Sequence, residues 1–537
     1  MNENSNYGYS LRSLFLMLIV GIILGWILGP KIFSRSHSSM ASGSIGAKVE
    51  SMIDLVCDEY VDAKTRDSLA EDVLGMMMSG LDPHCHYFSK EEIRRQSEEI
   101  QGEFGGIGAM LRKYGDTVCI VHAMPDGPAA AAGLRVGDRI VTVNEDTVSG
   151  VSMRIEDVIS RIRGANRTRV SLGILRQGQK KMETVMLKRS MIPTHSILYY
   201  GMLGSKTGYI NLSRFSETTY AEFSEAMEEL RSAGMQKLVL DLRSNGGGVL
   251  EMAVEICNEF LKKGDLIVYA EGAHQRRNEF RADGKGKYQS VELVVLVDEF
   301  SASASEVVSG AVQDNDRGVI YGRRTFGKGL VQRQFDFQDG SAVWLTVARY
   351  YTPSGRCIQR PYNKGTDEYY TDFLNQLLEE NSADSAVMRL TDTTRYYTQK
   401  GRIVYGGGGI YPDRLLPYPK DSVIGCCNQL VNSGVIDSAA YCYAASCYPQ
   451  LVKQYVNLNS FANRFRTPDD MVDKLLASGA SRGVCVKLSY PDLGKFRSRV
   501  ETMFKACVAE YLYGVEGYYK VNVTIDKSLQ SVLTEIK

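Results

Sequence analysis

From Gly208 onward, short apolar runs alternate with amphipathic stretches, and this succession constrains the fold more than any other feature of the chain. Tyr209-Ile210-Asn211-Leu212 reads as a strand, and Phe223, Met227 and Leu230 fall on one helical face. Leu238 to Leu242 then make a second strand, with Leu250, Val254, Cys257 and Leu261 on a second helix. Glu292 to Val297 and Glu306 to Gln313 repeat the unit. Strands this apolar must be covered on both faces, which predicts an α/β layer around a buried, mostly parallel sheet. A chain of 537 residues exceeds one such core, so further domains are expected around it.

Upstream, the pattern from Ala47 to Ile100 is helical, with a turn at Gly80-Leu81-Asp82-Pro83. Between Gly102 and Arg189 it changes to short alternating strands around one helix, which carries Val151, Ile155, Val158, Ile159 and Ile162. The glycine-rich Glu103-Phe104-Gly105-Gly106-Ile107-Gly108 precedes a strand, and the segment from Gly127 to Ile140 reads as a short helix turning into another. Together these two features resemble a PDZ domain. Successive N–H groups of Gly106, Ile107 and Gly108 would form a concavity for a terminal carboxylate, and the neighbouring strand would pair with an extended peptide.

At the N-terminus, eighteen residues between Arg12 and Lys31 carry no charge, a length suited to a membrane anchor and longer than the usual core of a cleaved signal. Both readings stay open. Lys plus Arg and Asp plus Glu each number 63, so a nucleic-acid binder working through bulk basicity is excluded. The eleven cysteines form neither a C-x-x-C pair nor zinc-like spacing, and His84-Cys85-His86 does not suit a metal, since adjacent side chains rarely converge on one ion. No metal or organic cofactor is expected.

Two strand-to-helix junctions can carry chemistry. Asp241-Leu242-Arg243-Ser244-Asn245-Gly246-Gly247-Gly248 fits no nucleotide motif, but its glycine N–H groups suit an oxyanion. Asp298 to Glu306 contains Ser301, Ser303 and Ser305, and Ser303 with Glu306 also reads as a capping box. Thr325-Phe326-Gly327-Lys328-Gly329-Leu330-Val331-Gln332 sets one lysine between two glycines at the start of a strand. None of the six histidines sits at such a junction, which leaves a Ser/Lys pair, with the lysine neutral through burial.

These residues resemble the carboxy-terminal processing peptidases, or tail-specific proteases, which are PDZ-containing serine peptidases with a Ser/Lys dyad. Leu81-Asp82-Pro83-His84, the PDZ segment, Asp241-Leu242-Arg243, Ser301 to Glu306 and Thr325 to Gln332 stand in the family's order, from about residue 45 to about 415. The resemblance implies Ser303 as nucleophile and Lys328, twenty-five residues on, as base, with Gln332 orienting the pair. It further implies an oxyanion hole of Ala304 N–H with that of Gly246 or Gly247, and a crotonase-like ββα spiral core. A polar insertion between Pro361 and Lys400, and Cys85-His86 after the turn, depart from the family's pattern. Neither is expected to touch the dyad.

The expected architecture is multidomain α/β. Residues 1–40 form a cytoplasmic tip with an anchor or signal, 41–101 a helical domain, 102–189 the PDZ domain, 190–420 the peptidase core and 421–537 a helical domain for core packing or homodimerisation. The expected function is an envelope endopeptidase, anchored in the inner membrane and facing the periplasm, whose PDZ domain captures free apolar C-termini of protein substrates. The alternatives are a non-catalytic PDZ adaptor and acyl-CoA chemistry on the related crotonase fold.

Overall fold

In a computed structural model, which describes residues 44–150, 152–380, 393–418 and 421–536, the chain divides after Ser79. The first unit contains α1 (Ile45–Glu59) and α2 (Arg66–Ser79), linked by Arg66 to Glu50 and Asp54. The apolar segment between Arg12 and Lys31 lies outside the described residues. Among those described, no helix is long and apolar enough to cross a membrane.

The second unit starts with the turn at Asp82 and β1 (His86–Phe88), which pairs with a distant strand, His86 opposite Trp344. A strand therefore breaks the helical run expected between Ala47 and Ile100, because three residues are too few to show a period of two. After it, α3 (Lys90–Gln101) is capped by Ser89 with Glu92 and ends at Gly102 in the left-handed conformation.

Then come β2 (Glu103–Gly106), β3 (Ala109–Tyr114), β4 (Thr117–Ala123), α4 (Pro128–Ala131), β5 (Arg139–Val143), β6 (Asp146–Thr147), α5 (Ile155–Ile162), β7 (Arg169–Leu175), β8 (Glu183–Lys188) and β9 (Ser190–Pro193). Strands β2 and β9 pair antiparallel at the base, and the main sheet runs β3-β4-β5-β7-β8 with β3 at its edge. Helix α5 begins four residues later than its apolar pattern, at Ile155.

The next elements are β10 (Ile197–Met202), β11 (Thr207–Leu212), α6 (Thr219–Ser232), β12 (Lys237–Asp241), α7 (Leu250–Phe260), β13 (Leu266–Gly272), β14 (Gln275–Arg281), β15 (Glu292–Val297), α8 (Ala304–Asp314), β16 (Val319–Gly322), β17 (Leu330–Asp336) and β18 (Ala342–Tyr351). The predicted buried sheet runs β10-β11-β12-β15-β16, with Arg414–Leu415 added beside β16, and is parallel from β11 onward. A second, antiparallel sheet was not legible as a unit in the sequence. It joins β1, β18, β13 and β14, with β17 also on β18, and so gathers strands separated by hundreds of residues.

Within the insertion lies α9 (Thr366–Glu380). The C-terminal helices are α10 (Ser422–Asn432), α11 (Val435–Gln454), α12 (Leu458–Arg464), α13 (Met471–Ser481), α14 (Tyr490–Asn522) and α15 (Lys527–Glu535). Their buried apolar residues pack against one another, the PDZ domain and the parallel sheet. Cys119 and Val121 of β4 pack into the helical core around Phe496, Val500 and Phe504, so β4 is buried on both faces. Arg112 of β3 binds Glu510 at 2.8 Å and also Asp437, while Tyr114 Oη donates to Asp437 at 2.8 Å. Helix α14 kinks at Gly514, φ +73°, where a Cβ would stand 3.2 Å from His122 Nε2. At the other end, Leu529 and Val532 pack on Tyr199, Tyr209, Val239 and Leu296 of the parallel sheet. All eleven cysteines are free thiols.

Helix α8 is held at its C-terminal end by Arg356, which donates to Asp314 and Gln313 at 2.7 Å each, the Arg356 and Asp314 side chains having no solvent exposure. Replacing Arg356 by Met is expected to leave the Asp314 charge buried without its cation, with only Ser354 N–H and Oγ as donors among the described residues, at a cost of about 3–5 kcal/mol in urea unfolding. A loss below about 1 kcal/mol would show that the pair is dispensable.

Candidate active site

Strands β12 and β15 lie side by side and parallel, so the loops that follow them emerge together at one sheet edge. From the first come Gly246 and Gly247, and from the second Ser303, which precedes α8 with φ +55° and ψ −114°. A non-glycine residue so placed is strained and must be held by its surroundings. The three serines are separated by their environments. Ser301 Oγ donates to Leu242 O at 2.8 Å and Ser305 Oγ to Asn245 O at 2.9 Å, both fully buried. Ser303 alone of the three lines the cleft, a cavity of about 580 Å³ that it shares with Gly246, Gly247, Lys328, Gln332 and Tyr350.

What holds the strained serine is Glu306. Its buried carboxylate accepts from Ser303 N–H at 2.8 Å, Lys328 N–H at 2.9 Å, Gly327 N–H at 2.8 Å and Thr325 Oγ1 at 2.6 Å. The first of these is the bond of the anticipated capping box; the other three tie the lysine loop to the serine turn. Burial pushes this carboxyl up to about 7, against the four donors, which favour the ionised form. Burial likewise lowers the Lys328 ammonium from its ordinary value, opposed by the charges of Asp82 and Glu306.

Lys328 Nζ donates to Gln332 Oε1 at 2.9 Å, and Gln332 Nε2 donates to the His84 carbonyl. The Asp-Pro-His turn thus reaches the site through its backbone. Asp82 shapes this turn by accepting from His84 N–H and Cys85 N–H at 2.8 Å each. The His84 ring points away to Tyr369, and burial together with the Lys328 charge lowers it to about 4, so it is neutral at pH 7.

Of the anticipated oxyanion donors, Gly247 N–H is engaged by Asn245 Oδ1 at 2.9 Å, whereas Gly246 and Ala304 N–H meet no acceptor among the described residues. A Cβ at Gly247 would come within 2.7 Å of Ser303 Cβ, so glycine there lets the two loops touch. At the PDZ domain, Gly106, Ile107 and Gly108 line a groove of about 100 Å³ with Leu111 of β3 and Ile159 and Ile162 of α5. Arg163 lines it too, with its guanidinium 4.0 Å from the Phe104 ring centroid and 3.3 Å from Glu98 on α3.

Sequence reasoning missed Arg163 and the wider role of Glu306. The capping pattern was a signal for the latter; Arg163 gave none. The insertion also comes nearer to Lys328 than expected. Helix α9 packs Tyr369 and Phe373 on Phe326, two residues before Lys328, and Tyr369 on His84. Its polar composition hid this, because only one face of α9 is buried.

The family model of peptidase family S41 matches residues 206–372, a PDZ domain matches 120–176 and a family of unknown function matches 426–514. A CtpA-like serine protease of Staphylococcus aureus is 34% identical over 348 residues, 64% of this chain and 68% of that one. Its counterpart in Staphylococcus saprophyticus is 33% identical over 58% of this chain and 62% of that one. Among solved structures, a photosystem II D1 C-terminal processing protease is 30% identical, covering 57% of this chain and 88% of that one, with a TM-score of 0.33.

Two outcomes follow from the electrostatics. Glu306→Gln turns an amide NH₂ toward N–H donors, and is expected to lower peptidase kcat by about a hundredfold or more and to reduce Tm; retention of wild-type kcat would refute a positioning role. His84 is neutral in the folded state down to about pH 4 while the unfolded chain protonates near 6.5. Its contribution is therefore intact above about pH 6.5 and is lost as pH falls toward 4. Urea titrations across this window should show a shallower decline for His84→Gln than for wild type.

Proposed function

The chain belongs to the carboxy-terminal processing peptidases of family S41 and is a serine-type endopeptidase with a PDZ domain; on that premise we propose that Ser303 and Lys328 form its catalytic dyad and that its PDZ groove takes the free C-terminus of a protein substrate. The observation that carries this reading is the tie through Glu306, which links the backbones of Ser303 and Lys328 at one cleft wall.

Neutral Lys328 removes the proton of Ser303 Oγ as that oxygen attacks the scissile carbonyl. The developing oxyanion is met by the N–H groups of Ala304 and Gly246. Protonated Lys328 then gives its proton to the leaving amine, and in the second half-reaction the neutral lysine activates the water that releases the acyl group. Gln332 holds Nζ through Oε1 throughout.

In the PDZ domain the substrate end pairs with the edge of β3, its carboxylate on Gly106 to Gly108 and beside Arg163, its apolar side chains against Leu111, Ile159 and Ile162. Helix α3 connects the two sites, since Glu98 binds Arg163 while Gln96 and Ile100 line the catalytic cleft. We read the core as a crotonase-like ββα spiral, which the successions β10, β11, α6 and β14, β15, α8 support. The uncharged stretch between Arg12 and Lys31 supports an envelope location, with the catalytic body on the periplasmic side of the inner membrane.

Cleavage of an unfolded reporter tests both parts. Ser303→Ala and Lys328→Ala are each expected to lower kcat by about 10³-fold or more. Amidating the reporter's C-terminus is expected to raise KM about tenfold or more, through loss of a charged hydrogen-bonded group. Activity retained by either variant would sink the dyad, and indifference to amidation would sink the recognition of C-termini.

A further inference from the structure

Helix α9 comes from a polar insertion, yet its one buried face bears on the surroundings of the base. Tyr369, Phe373 and Gln376 recur at helical spacing, and Tyr369 is only 1% exposed. Phe373 packs on Phe326 with ring centroids 4.9 Å apart, and Gln376 accepts from Arg360, which also donates to Phe326 O at 2.8 Å.

From Tyr369 a path runs to the lysine through hydrogen bonds at the ring and at the carbonyl of His84, joined by that residue's own covalent frame. Its hydroxyl and His84 Nε2 are 3.1 Å apart, and the rings meet edge to face at 5.5 Å. The His84 carbonyl accepts from Gln332 Nε2, and Gln332 Oε1 accepts from Lys328 Nζ at 2.9 Å. Each link fixes the next. An amide whose nitrogen is committed to a carbonyl must present its oxygen to the lysine. A neutral lysine that donates one hydrogen to this oxygen has its lone pair left for the serine hydroxyl.

We propose that Tyr369 is a positioning residue for the base, acting through His84 and the Gln332 amide, so that the insertion is a working part of the peptidase site. The proposal rests on the Ser303/Lys328 reading above. A tyrosine that served only packing would act independently of Gln332, and this separates the two roles.

The test is a double-mutant cycle in the full chain, measuring kcat and KM for the unfolded reporter. Tyr369→Phe retains the ring and is expected to lower kcat about five- to tenfold with KM unchanged. In a Gln332→Ala background the same substitution is expected to change kcat less than about twofold, because no amide is left to orient. Equal factors in the two backgrounds, or no effect of Tyr369→Phe alone, would overturn the proposal. So would an equal loss of additivity for Phe373→Leu, which lies on the same buried face but off the chain of bonds. Ser303→Ala and Lys328→Ala run alongside. If either stays active, the dyad reading fails and this proposal with it; if both are inactive while Tyr369→Phe and Gln332→Ala act additively, the positioning role alone is overturned.

Discussion

One buried carboxylate organises the site. Glu306 accepts four hydrogen bonds, one from the serine turn and three from the lysine loop: Oε2 takes Ser303 and Lys328 N–H while Oε1 takes Thr325 Oγ1 and Gly327 N–H. A carboxylate offers about this number of acceptor positions, so the group is saturated and cannot move without breaking several bonds at once. This saturation compensates the strain at Ser303, φ +55°, and sets the position of the lysine backbone without any bond to its ammonium.

The rest of the molecule secures the two loops from outside. Arg356 grips the far end of α8, so the helix that starts at the serine is held at both ends. Arg243, just beyond β12, is bound by Asp241 and by Asp526, which also caps α15 by accepting from Leu529 N–H. The C-terminal helices therefore brace the glycine loop from behind while covering the outer face of the PDZ strands β3 and β4. The segment matched by a family of unknown function, residues 426–514, packs on the PDZ sheet, and the residues that follow it, Val523, Leu529 and Val532, reach the parallel sheet.

Much of this was legible in the chain. The parallel sheet followed from apolar runs because its central strands are buried on both faces. The glycine junctions and the order of the motifs identified the family because glycine is required where backbone approaches backbone, as Gly247 approaches Ser303. Less legible were features that depend on partners remote in sequence. Strand β1 exists only because β18 accepts it, and β4 departs from a one-sided pattern because the C-terminal helices cover its second face.

By itself, the sequence determined the composition of the candidate site: a serine at a helix start, a lysine between glycines, a glutamine four residues further on, and a glycine loop. Periodicity and glycine placement act locally, so they can be read from neighbours in the chain. Only the tertiary structure decided how the hydroxyls of Ser301 and Ser305 are buried and bonded, that the helix-capping Glu306 also holds the lysine loop, and that a polar insertion reaches His84. Those outcomes depend on which donors and acceptors are brought together when residues tens to hundreds of positions apart are buried, and no local pattern encodes that.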